Sequence, residues 1–253
     1  MGSTSVKDVK PTGDVDKDFN NAMVALRDDN YEGFIDELNT LASDPKVAFL
    51  RDAIIDKFNS PDGVEVKFTK PMDMDIRSIH PTQFEVDMEK SLKFPLKVNP
   101  GGIDEAFSGK PILIKGLPLV VAEVSGVYYI IDGHHRWSQV YCLNPNAKMT
   151  VRVISSDMFK TADDVLKLVQ MQIFIAKDGG EVPQATVDSE FNLYTIDEGA
   201  FRKWCEGMMT DDARQTFSKY VKDDPIGYMW GNVLTMRKEA QPTSNAHGRG
   251  DMP

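Results

Sequence analysis

Cysteine and histidine are both scarce in this 253-residue chain, with two of the first and four of the second. Cys142 and Cys205 have neither metal-ligand spacing nor enough partners for a disulfide framework, which excludes the small stapled secreted scaffolds. Reduced thiols in the cytoplasm are the expectation. Long apolar runs are missing too, and without about eighteen consecutive apolar residues no membrane-spanning helix is predicted. Met1 to Asp8 are polar with no apolar centre, so the start of the chain does not read as a signal peptide. Basic residues are outnumbered, with 29 Lys and Arg against 39 Asp and Glu for a net charge of −10. A protein that grips DNA chiefly through its phosphates needs clustered Lys and Arg, so that class is disfavoured. Hydrophobic residues, at 41%, are plentiful enough to build a core, which excludes a wholly disordered chain.

What is present divides the chain into five stretches. Residues 1–13, with Pro11 and Gly13, are expected to be a flexible N-terminus. Residues 14–60 carry apolar residues at helical spacing (Phe19, Met23, Leu26; Phe34, Ile35, Leu38; Val47, Leu50, Ile54) and form an acidic helical cap. Asp44-Pro45 supplies an N-cap with proline at the first helical position. Within residues 1–60, twelve acids face seven bases, so this segment holds half of the net negative charge. Asn59-Ser60-Pro61-Asp62-Gly63 marks the break.

Residues 61–156 then read as alternating strands and helices. Val64–Thr69 alternates like a half-buried strand, and Pro111–Ile114 is a second strand candidate. Leu119–Val124 and Val127–Ile131 flank Ser125-Gly126 as a hairpin. A helix is predicted from Gly133 to Leu143 and a strand over Met149–Ile154. Residues 157–240 form a helical C-terminal region, opened by an amphipathic helix over 161–177 and anchored by Phe201, Trp204, Phe217, Tyr220, Tyr228 and Trp230. Residues 241–253 are a polar tail. The predicted class is α+β: a small mixed sheet with helices, flanked by helical regions on both sides.

The chemistry concentrates in Tyr128-Tyr129-Ile130-Ile131-Asp132-Gly133-His134-His135-Arg136-Trp137. A strand delivers Asp132, a good N-cap residue, and Gly133 permits a tight turn. The helix then opens with two imidazoles and a guanidinium. Backbone N–H groups and the positive dipole end favour an anion there, and Arg136 adds a planar fork suited to phosphate. As purely structural elements, Asp132 caps the helix and Arg136 pairs with a nearby acid.

The strand–Asp132-Gly133-His134-His135-Arg136–helix sequence resembles the signature turn of the ParB/sulfiredoxin superfamily. ParB partition proteins carry Gly-Glu-Arg-Arg there, sulfiredoxins Gly-Gly-Cys-His-Arg, and free-serine kinases an Asp-Gly-His-x-Arg version, to which this turn is most similar. Upstream, Ile76-Arg77-Ser78-Ile79-His80-Pro81-Thr82-Gln83 resembles the superfamily's first motif, and some ParB-like nucleases have His-Pro-Thr-Gln itself. Lys110-Pro111-Ile112-Leu113-Ile114 fits the proline-then-strand segment between the two. The resemblance spans roughly residues 64–155. His134 stands where sulfiredoxin chemistry needs a cysteine, and residues 156–240 lack the basic helix-turn-helix character of a partition clamp.

The resemblance implies a nucleotide-binding protein that transfers or hydrolyses a phosphoryl group, with Mg²⁺ and ATP or another nucleoside triphosphate as cofactor. It implies an ATP-dependent phosphotransferase or NTPase, acting on an unidentified small-molecule or macromolecular acceptor. Asp132, Gly133, His134, His135, Arg136, His80 and Gln83 would contact the nucleotide and its phosphates. His134 or His135 would neutralise charge or shuttle a proton, as free imidazole titrates near neutrality. Glu85 is the candidate general base, with Asp87 and Glu89 as rivals. His80, His134 and His135 are three of the four histidines, and all fall in the two motifs. Adjacent residues on a helix point about 100° apart, so no metal site is predicted from them. The alternative is a non-catalytic or nuclease-like module binding nucleic acid or a protein partner, with a homodimer among the assemblies the acidic N-terminal helices would serve.

Overall fold

The computed structural model describes residues 66–83, 86–156, 159–162, 164–165 and 191–242. The expected N-terminal segment and helical cap, most of the helix over 161–177, His247, and the tail beyond residue 242 lie outside these residues, as does Glu85.

The strands are β1 (Val66–Phe68), β2 (Met72–Asp75), β3 (Ile79–His80), β4 (Leu119–Val124), β5 (Val127–Asp132) and β6 (Lys148–Ser156). They form one mixed sheet in the order β1-β6-β4-β5-β3, with β2 also paired to β6. The long strand β6 takes β1 antiparallel along one half, Val66 opposite Ser156, and β2 along the other, Met72 opposite Val151. Pro71 explains the interruption between them, because it has no N–H to donate to the ladder. Thr69 bridges the gap: its N–H donates to the Val153 carbonyl and its Oγ1 accepts from the Val153 N–H, each at 3.0 Å.

The hairpin β4–β5 turns at Ser125 and Gly126, both at positive φ (52° and 82°), as a two-residue primed turn requires. The Pro111–Ile114 strand shrinks to a single bridge from Ile112 to Met149. The cause is local: the chain leaves at once into a 3₁₀ turn, Ile114–Gly116, with Lys115 and Gly116 at positive φ.

Six α-helices are present among the described residues: α1 (Met88–Lys93), α2 (Gly101–Phe107), α3 (His134–Leu143), α4 (Glu198–Met208), α5 (Asp211–Ser218) and α6 (Pro225–Glu239). Side-chain caps start four of them. Asp87, Asp197, Thr210 and Asp224 each accept from a backbone N–H three residues on. The α1–α2 region, joined by a π-helical turn at Phe94–Val98, has no counterpart among the helices expected from the sequence. Pro95, Pro100 and Gly101-Gly102 interrupt the periodic signal there, yet Met88, Leu92, Leu96 and Ile103 are all fully buried.

Alternation along the strands sorts the core. Leu119 and Val121, Ile130, and Met149, Val151 and Val153 face a single cluster with Trp137, Val140, Tyr141, Phe201, Phe217, Met229 and Val233. A boundary at residues 156/157 therefore divides the chain but not the core: the C-terminal helices pack with the sheet region as one body. Val120, Ala122, Ile131 and Ile154 are buried outside that cluster, on the alternate positions. Each fully buried aliphatic side chain stabilises by about 1.5–3 kcal/mol relative to exposure. The fold is α+β, as expected. No helix among the described residues is long and apolar enough to cross a membrane.

Candidate functional site

The site begins with a fault in the β4–β5 ladder. Val121 pairs with Ile130, but Val120 pairs with Asp132, so Ile131 is an extra residue. Such a bulge twists the strand end and re-aims the residues beyond it. Gly133 comes next at φ 112°, ψ 21°, and α3 starts at His134. A Cβ on Gly133 would lie 2.4 Å from Leu119 Cδ2 and 3.0 Å from Arg136 Nη2, so both conformation and space demand glycine.

Gly133, not Asp132, is the N-cap, and no side chain caps this helix. That corrects the expectation for Asp132. Its carboxylate turns instead to Arg136, whose Nη2 donates to Asp132 Oδ2 at 2.7 Å. Nη1 of the same guanidinium donates to the carbonyls of Leu117 (2.6 Å) and Pro118 (3.0 Å). Arg136 thus braces the turn against the segment leading into β4. Its fork is engaged with protein acceptors, where the sequence pointed to an incoming phosphate.

The two motifs do meet. Strand β3 runs parallel to β5, Ile79 opposite Tyr128 and His80 opposite Tyr129, so both chains leave the sheet at the same end. Beyond β3, Thr82 is fully buried and sits on His134, itself only 5% exposed. The Thr82 N–H donates to His134 Nε2 at 3.2 Å, Thr82 Oγ1 lies 3.0 Å from the same nitrogen, and Oγ1 also donates to the Ile130 carbonyl at 2.9 Å. Gln83 is buried beside it in sequence. Thr82 lies within the His-Pro-Thr-Gln quartet, but the sequence reading assigns binding only to its neighbours His80 and Gln83. The signal available was a hydroxyl within two residues of a strand end.

His80 goes elsewhere. Ile79 enters the core, so His80 points to the other face of the sheet, where its ring lies 5.9 Å from that of Tyr129. Desolvation by burial lowers its pKa below the usual imidazole value. His135 is half-buried in the first turn of α3. Of the rival bases, Asp87 caps α1 by accepting from the Lys90 N–H, and Glu89 pairs with Lys93 one turn on. Lys115, in the 3₁₀ turn before β4, carries its Nζ to 6.0 Å from the Phe94 ring centroid. Below the turn, the buried hydroxyls of Ser91 and Ser138 meet at 2.7 Å and fasten α1 to α3.

No family model, no curated protein and no solved structure matches this chain. Among the described residues, no group of three His, Cys, Asp or Glu is arranged to hold a metal ion. The assembled geometry offers a helix start with its dipole and amides, flanked by one half-buried and one buried imidazole, at the mouth of a parallel strand pair. Chemically, that favours an anion.

Proposed function

We propose that this chain binds the phosphates of a nucleoside triphosphate at the start of α3 and transfers or hydrolyses its terminal phosphoryl group. The reading rests on the resemblance to ParB/sulfiredoxin-like proteins, and one observation carries it: the two separated motifs converge, with Thr82 of the first against His134 of the second. The amides around Gly133–His135 would hold phosphate, and His134 and His135 would offset its charge. Arg136 and Asp132 would keep the turn in shape, a positioning role in place of direct phosphate contact. Glu85 remains the proposed general base.

Among the described residues, no three His, Cys, Asp or Glu gather into a site that would hold Mg²⁺ without the triphosphate. Mg²⁺ bound with a triphosphate needs one or two protein carboxylates, and Asp132, the carboxylate at the turn, is held by Arg136. No step is derived through the metal.

Thermal denaturation against ATP, ADP and CTP, each with Mg²⁺, tests the reading. Binding raises the melting temperature logarithmically with ligand concentration. Arg136→Ala is expected to abolish that rise, and Glu85→Gln to keep it while stopping turnover. Absence of a shift with every triphosphate sinks the proposal.

The alternative, a non-catalytic or nuclease-like module, draws support from the same Arg136, whose fork is already occupied by Asp132 and two carbonyls. An acidic isoelectric point near 4.9 argues against strong DNA affinity. Gel-shift titrations across salt concentrations separate the two: a steep salt dependence supports nucleic acid, and no shift at low salt removes it.

A further inference from the structure

Basic charge and exposed apolar surface coincide at one place in this acidic chain. Among the described residues, seven large hydrophobic side chains are exposed, and four of them, Phe94, Val98, Leu113 and Leu117, belong to two turns. The first is the π-helical turn, closed by the Asn99 N–H donating to the Phe94 carbonyl at 2.8 Å. Pro95 and Leu96 point into the core there, which leaves Phe94 and Val98 outside. The second is the 3₁₀ turn Ile114–Gly116, with Leu113 and Leu117 at its two ends. Lys115, at φ 57°, carries its Nζ over the Phe94 ring and so joins the two turns.

Residues 90–118 hold five lysines against two acids, Asp104 and Glu105, in a chain of net charge −10. Asp104 is taken by Lys219 and Tyr220. Lys97, Lys110 and Lys115 are exposed and form no ion pair with another described residue. An exposed apolar patch rimmed by charge marks an interaction site. Its complement lies in the same chain, where residues 14–60 carry eleven acids against five bases, with Phe19, Met23, Phe34 and Leu38 at helical spacing. Reach is sufficient. Val66 lies beside Ser156, about 20 Å along the sheet from Leu119, and residues 14–60 span about 70 Å even when wholly helical.

We propose that the acidic N-terminal segment, residues 14–60, docks within its own chain on the patch formed by Phe94, Val98, Leu113 and Leu117. Its apolar residues cover these four side chains, and its carboxylates meet Lys97, Lys110 and Lys115. Tethering holds such a segment at about millimolar local concentration, so individually weak contacts suffice. An anionic lipid surface attracts the same lysines but repels the acidic segment carried by the same molecule, which favours the segment as occupant. The proposal does not depend on the nucleotide reading.

Zero-length carbodiimide crosslinking of the full chain, as an equal mixture of ¹⁴N and ¹⁵N protein, provides the test, since it joins lysine amines only to carboxylates in direct contact. Links from Lys97, Lys110 or Lys115 to acids of 14–60 within one isotopic copy are the expected result. Absence of such links overturns the proposal, and links found only between copies overturn it in favour of a second molecule. Lys97→Glu with Lys115→Glu should keep the melting temperature, because both side chains are exposed. It should lower the Lys110 links about fivefold, the combined effect of two exposed ion pairs. Phe94→Ser with Leu117→Ser should lower the lysine links as well, with every charge in place. Unchanged linking in either variant overturns docking on this patch. Sedimentation with phosphatidylserine vesicles that the lysine variant loses, without links inside the chain, assigns the patch to a membrane surface and also overturns it.

Discussion

Asp132 accepts a 2.7 Å hydrogen bond from Nη2 of Arg136, reaching one helical turn across a left-handed glycine. The same guanidinium holds two carbonyls of the segment entering β4, so that segment and the Asp132 carboxylate depend on one side chain. Arg136→Ala should lower the unfolding free energy by about 2 kcal/mol, the range for hydrogen bonds to a charged group in a partly buried setting. Arg136→Lys should recover only part of this, because an ammonium lacks the fork that serves Asp132 and the carbonyls together. Urea denaturation with a fixed m-value measures both, and equal stability of wild type and Arg136→Ala would refute the brace.

Gly133 is the least replaceable residue at the turn. Gly133→Ala combines a positive φ with a 2.4 Å approach to Leu119 Cδ2, and a loss of about 1–3 kcal/mol is expected. Leu119→Ala alone should cost about 2–5 kcal/mol as a cavity in a buried strand. The double variant should be more stable than the sum of the two, because removing Cδ2 relieves the clash. A strictly additive cycle in chemical denaturation would show that strain at φ, not contact with Leu119, sets the requirement.

The two thiols should be silent in the folded protein. Burial raises the pKa of Cys142, and it raises that of Cys205 to about 12. Thiolate is the reactive form, so a neutral-pH thiol reagent should label neither until the protein unfolds. The labelling rate should track the urea dependence of unfolding. Rapid modification of either cysteine in native buffer would contradict this, and it would reopen the thiol chemistry that His134 at the signature position argues against.

Acid should weaken the fold through His80. Its pKa is lowered in the folded state by burial, so in the window just below the imidazole's unfolded value of 6.5 the unfolded chain binds more protons. Stability is then full above that value and falls as pH drops toward the folded pKa. His80→Gln should flatten this slope, and an unchanged pH dependence of the melting temperature in that variant would assign the slope to other groups.

Local chemistry made the hairpin, α3 and the C-terminal helices readable. Ser125-Gly126 suits a primed turn, apolar residues keep helical spacing through Trp137 and Val140, and five of the six aromatic anchors sit on α4 to α6, while Tyr220 falls in the exposed turn after α5. Those features depend on backbone preferences and periodicity within a few residues. The α1–α2 region escaped because its prolines and glycines mimic loop punctuation, while much of what holds it is tertiary: burial in the shared core and hydrogen bonds to α3 and to the segment leading into α5. The strand at Pro111–Ile114 failed for the opposite reason, since a strand needs a partner along its length and a 3₁₀ turn ended it at one bridge.

By itself, the sequence determined that an α+β chain would place Asp132 to Arg136 at a strand-to-helix turn, with glycine where only glycine fits. Only the tertiary structure decided what those residues face. Pairing β3 alongside β5 brought Thr82 onto His134 across 52 positions and sent His80 to the far face of the sheet. The bulge at Ile131 and the return of residues 117–118 turned Arg136 and Asp132 toward protein. Long-range strand pairing is set by the whole core, and main-chain carbonyls such as those of Leu117 and Pro118 have no side-chain signature from which a partner could be read.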